Sequence, residues 1–136
     1  MENAADQVRH YLDLLRQGNR DDAFFGLVDP NPAVLDELIA AFKKETDVEV
    51  RAFLVEVVWQ HRRPSTIPFL AAALHDPEPA VWREALDGLA TLAVPEALEA
   101  LRAARRRPFT VQKEANEFRD ELEDAIEEAE EAAEEP

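Results

Sequence analysis

The chain contains no cysteine, which excludes disulfides and thiolate-ligated metals. Glycine is scarce, with three residues among 136, and no glycine-rich phosphate loop or Gly-x-Ser-x-Gly nucleophile elbow can be found. No apolar run approaches the roughly 18 residues needed to cross a membrane as a helix. The opening Met1-Glu2-Asn3-Ala4-Ala5-Asp6 has neither the basic nor the apolar segment of a secretion signal, so the expected location is cytoplasmic. Cations are also in deficit. Fifteen Lys and Arg face 30 Asp and Glu, for a formal charge of -15. Such a charge repels phosphate backbones and draws basic surfaces, which argues against nucleic acid as a partner. Maintenance of solubility is the simpler account of the same charge.

What is present is a helical protein. Apolar residues form 46% of the chain and are rich in Ala and Leu, enough for one modest core in a single domain spanning 1–136. Val8, Tyr11, Leu12 and Leu15 recur at helical spacing over 4–17, and Gly18-Asn19 marks a stop. Asp21 or Asp22 can cap a short second helix through Ala23, Phe24, Phe25, Leu27 and Val28, which Asp29-Pro30-Asn31-Pro32 ends. A third helix is predicted over 32–44, with Asn31 as cap, Pro32 in the first turn and Lys43 and Lys44 at the end. The fourth, over 48–62, has apolar residues on so much of its surface that contacts on two sides are expected. Its valines alone would suit a strand. Further helices are predicted over 65–74, 78–92 and 95–106, with a long last one after Pro108 capped by Thr110. Its end, from Glu130, is expected to fray because carboxylates oppose the dipole at a C-terminus.

The most informative feature is a repeat. Val50 matches Val81 at a spacing of 31 residues, and Leu54 matches Ala85, Val55 matches Leu86 and Val58 matches Leu89. The partner helices follow, with Ile67 matching Leu98 and Leu70 matching Leu101. A period near 30 residues is the mark of stacked helical hairpins. The stretch Ile67-Pro68-Phe69-Leu70-Ala71-Ala72-Ala73-Leu74-His75-Asp76, continued by Pro77-Glu78-Pro79-Ala80-Val81-Trp82-Arg83-Glu84-Ala85-Leu86, resembles a HEAT-type repeat of the short bacterial, PBS-lyase-like form. Family repeats carry an Asp-Pro turn and then a Val-Arg pair. Val50-Arg51 keeps the pair, whereas Trp82 follows Val81 in the next block. The likeness covers roughly 33–106. It implies an all-α chain, a short right-handed α-solenoid of stacked antiparallel hairpins with seven or eight helices. Residues 1–31 would be N-terminal cap helices, 32–106 the repeat core and 109–133 a C-terminal capping helix.

No chemistry stands out. His10, His61 and His75 lie far apart without ligand spacing, so no metal, cofactor or catalytic residue is assigned and the chain is expected not to be an enzyme. The functional surface is expected on the second helix of each hairpin, where Arg51 and Trp82, Glu56 and Asp87, and Gln60 and Thr91 should repeat along one wall, with Arg83 beside them. Trp82 replaces a polar residue there and could anchor a partner or else pack against a neighbouring helix, while Trp59 is expected in the core. Arg102, Arg105, Arg106 and Arg107 form the one dense basic cluster. It is expected to face the carboxylates of the last helix, among them Glu114, Glu117, Asp120, Glu121, Glu123 and Asp124. The acidic end, Glu127, Glu128, Glu130, Glu131, Glu134 and Glu135, would be solvated or attract a basic protein.

The expected function is a protein-interaction module or adaptor that binds a basic protein or peptide on an acidic helical surface. Nothing in the sequence requires an oligomer or a membrane. An immunity-type inhibitor of a basic toxin enzyme and an enzyme-associated, HEAT-like lyase or chaperone module are the alternatives.

Overall fold

The computed structural model describes residues 3–134. Among the described residues eight α-helices follow one another: α1 (Ala4–Arg16), α2 (Arg20–Leu27), α3 (Pro32–Lys44), α4 (Val48–Gln60), α5 (Ile67–Ala73), α6 (Pro79–Leu92), α7 (Pro95–Ala103) and α8 (Gln112–Glu134). Short 3-10 turns at Pro64–Thr66 and Ala104–Arg106 lead into α5 and out of α7. No strand occurs among the described residues, so the all-α class expected from the sequence holds. The helices gather into two compact units, Met1–His61 and Arg62–Pro136.

In the first unit α1 pairs with α2, α3 pairs with α4, and α1 also packs against α3. Side-chain caps set where helices start. Asn3 accepts from the Asp6 N–H at 2.8 Å, Asn31 from Ala33 at 3.0 Å and Asp47 from Val50 at 3.1 Å. The valines of α4 are accommodated in a helix because burial outweighs their strand preference. Val50, Phe53, Leu54, Val55, Val57, Val58 and Trp59 are all buried, which covers the helix on most of its sides. The helix stops at Gln60, short of the expected end, because Arg62 adopts a left-handed backbone (φ 55°). Between α1 and α2 the chains approach closely. A Cβ on Gly26 would run into the Tyr11 ring, so any side chain there would force the ring aside.

In the second unit α5 pairs with α6 and α7 with α8, while α7 packs on α5 and α8 on α6. The last helix thus docks as the second member of a hairpin does. Every position of the repeat register is buried: Val50 and Val81, Leu54 and Ala85, Val55 and Leu86, Val58 and Leu89, Ile67 and Leu98, Leu70 and Leu101. Ala115, Phe118, Leu122, Ala125, Ile126 and Ala129 form the buried stripe of α8 at three- and four-residue spacing. The expected fraying from Glu130 does not occur, and α8 continues to Glu134. Ala129 is fully buried, and Arg102 bonds Glu130 at 2.7 Å, which offsets the unfavourable dipole. Glu135 lies outside the described residues.

Candidate functional site

The second unit carries a groove of about 270 Å³ between α6 and α8. Its apolar floor is Leu86 and Ala125, and its rim holds Asp87, Glu121, Asp124 and Glu128 with one cation, Arg83. Helical geometry builds it. Arg83 and Asp87 are one turn apart on α6, and Glu121, Asp124 and Glu128 recur at three- and four-residue spacing beside the buried stripe of α8. Arg83 is already engaged. Its Nε donates to both carboxylate oxygens of Glu121 at 3.0 Å, and its guanidinium lies 4.9 Å from the Trp82 ring. Asp87, Asp124 and Glu128 are exposed. The groove therefore presents concentrated negative charge over a small apolar floor.

The expected wall residues divide between the units. On α4, Arg51 places its guanidinium 4.5 Å from the Phe42 ring, Glu56 accepts from Arg20, and Gln60 is half-buried in the last turn. On α6, Thr91 is exposed near the end of the helix, and Arg83 and Asp87 line the groove. Trp82 takes the second of its two expected placements, packing against a neighbouring helix. It is 3% exposed and meets Phe118 edge to face at 5.0 Å, so it is a packed residue and not a projecting anchor. Trp59 is buried, as expected.

The basic cluster largely pairs with α8. Arg105 bonds Glu123 at 2.8 and 2.9 Å, which raises the pKa of the guanidinium and lowers that of the carboxyl. Arg102 bonds Glu130. Arg107 behaves differently. It donates to the carbonyl oxygens of Leu74 (2.7 Å) and Asp76 (3.0 Å) and lies 4.5 and 4.9 Å from the rings of Phe109 and Phe118. Burial lowers its pKa, against the opposing fields of Asp76 and Glu114.

Two features escaped the sequence reading. Glu128 was assigned only to the acidic end, although its spacing from Glu121 and Asp124 carried the signal. Phe25 was assigned to the apolar set of α2 but is 74% exposed. Ala23 and Leu27, four residues apart, already define the buried face, and Phe25 falls opposite them. Among the described residues, no group of three or more His, Asp or Glu is placed to hold a metal ion. His61 instead donates from Nε2 to the Leu27 carbonyl at 2.9 Å.

The family model described as HEAT repeats matches residues 35–117, more than half of the chain. The chain belongs to the HEAT-repeat family. No curated protein and no solved structure gives a significant match. The HEAT-repeat match begins in α3 and continues into α8, beyond the 33–106 span over which the sequence likeness was evident. It is a match to HEAT repeats at large and does not single out the PBS-lyase-like form.

Proposed function

We propose that this HEAT-repeat chain is a protein-interaction module that docks a basic protein or peptide on an acidic helical surface, with the α6–α8 groove as the docking site. The observation that carries the reading is the rim of Asp87, Glu121, Asp124 and Glu128, in which the single cation, Arg83, is already bonded to Glu121. A Lys or Arg side chain entering the groove would lay its methylene stem on Leu86 and Ala125 and bring its head to the exposed carboxylates. The formal charge of -15 would speed the approach of such a partner. The contribution of Trp82 to this surface is indirect, since its ring supports Arg83 from below. Binding requires no catalytic step and no cofactor.

The test is fluorescence anisotropy with a labelled peptide of alternating Lys and Ser. Asp124→Lys combined with Glu128→Lys should weaken binding by about tenfold or more, equivalent to ~1.4 kcal/mol. The salt dependence should also flatten. An unchanged affinity in a variant that melts like the wild type would remove the groove as the site.

A further inference from the structure

We infer that α2 carries a second contact for the same kind of partner, an aromatic anchor built on Phe25 that fits an apolar stripe bordered by Lys or Arg. The inference rests on the reading above that the chain engages a basic protein, but it concerns a different surface. Phe25 is 74% exposed, and Ala23 and Leu27 already bury the inward side of α2. The edge of Phe24 lies against it, with ring centroids 5.9 Å apart, and Val28, half-buried, continues the apolar strip one turn on. One turn before Phe25 on the same helix stand Asp21 and Asp22, both exposed. An exposed aromatic ring with carboxylates one turn away is complementary to an apolar surface bordered by cations.

The anchor is also held in place before any partner arrives. The Tyr11 ring lies on the Gly26 backbone too closely for a Cβ, and Gln7 donates to the Gly26 carbonyl and to Asp29, each at 3.1 Å. His61 holds the Leu27 carbonyl, and Arg20 bonds Glu56. A rigid helix presenting an aromatic side chain loses little conformational freedom on docking, and large aromatics at the centre of a contact carry a disproportionate share of its affinity. A second copy of the chain is a poorer occupant. Two molecules each bearing -15 repel, and of the exposed cations on and after α7, Arg102 and Arg105 are tied to Glu130 and Glu123.

The experiment uses the full chain and two labelled probe peptides of equal length and charge, an amphipathic Leu/Lys helix and a Ser/Lys control. The wild type should bind the Leu/Lys peptide more tightly by a factor of about 10 or more, the margin of one hot-spot residue. Phe25→Ala should erase that margin and leave Ser/Lys binding unchanged. Asp21→Asn with Asp22→Asn should weaken both peptides at low salt. The groove variant carrying Asp124→Lys and Glu128→Lys should lose Ser/Lys affinity but keep the margin that depends on Phe25. Equal binding of the Leu/Lys peptide by wild type and Phe25→Ala overturns the inference and leaves the groove reading intact. Failure of both peptides to bind the wild type at low salt overturns the groove reading, and this inference with it. A dimer in sedimentation that Phe25→Ala dissolves would assign the anchor to a second copy and overturn it as well.

Discussion

α2 and α8 are both second members of hairpins, yet they are secured in opposite ways. α2 has eight residues and buries only Ala23 and Leu27. It is kept in place by one very close approach, Gly26 against Tyr11, and by polar links through Gln7 and His61. α8 has 23 residues and an unbroken buried stripe from Ala115 to Ala129. Its exposed surface carries eleven carboxylates against two cations over the length of the helix. A short helix can be held by a few exact fits and leave an aromatic side chain free for other use. A long one, once its stripe is buried, can devote its remaining surface to charge. The contrast separates what secures each helix from what each leaves on its surface.

The largest effect should come from the stripe of α8. Phe118 is fully buried and touches the rings of Trp82 and Phe109, so Phe118→Ala should cost about 3–5 kcal/mol in urea denaturation. A loss below about 1 kcal/mol would mean that the stripe does not carry the unit. Gly26→Ala should come next, at about 1–3 kcal/mol, because the new methyl meets a rigid ring. Helix propensity alone would give the opposite sign, a gain of up to about 1 kcal/mol, so the direction of the shift decides whether α1 and α2 are as close as described.

The smallest effect should be electrostatic. The Asp29 carboxyl is held below its usual pKa of 3.8, mainly by the Asn31 N–H and then by Gln7. A depressed folded value means that the ionised group stabilises the fold above the ordinary range and that this is lost as pH falls through the lower folded value. Thermal melts of Asp29→Asn and wild type should therefore differ at neutral pH and converge as the pH drops well below 3.8. A constant offset at all pH values would assign the difference to shape instead of charge.

Much of the fold was legible because its signals are local and repeated. Asn31-Pro32 marks a helix start through its own chemistry, and the register linking Val50 to Val81 needs two hairpins to agree. Orientation was harder to read. The register puts Trp82 at a position that is polar in other repeats, but the ring turns toward Phe118, a residue of a helix that the likeness did not cover. The pairing of Arg102 and Arg105 with α8 carboxylates was readable from composition. The particular partner Glu130 was not, because it depends on α8 staying helical past the point where its own charges disfavour it. Phe25 and Glu128 were each readable from spacing, but both were absorbed into a broader label, an apolar set in one case and an acidic tail in the other.

The arginine tethers of α8 have a consequence for how the helix answers its surroundings. Arg83 of α6 holds one edge of the helix, and Arg102 and Arg105 hold the opposite edge, by exposed ion pairs, whereas Phe118, Leu122 and Ile126 hold it from within. Dissolved ions weaken the first kind of attachment and leave the second intact or stronger. In dilute buffer the helix is fastened at both flanks and from within, and in brine chiefly from within, so raised ionic strength should loosen its flanks without loosening the packed stripe beneath them.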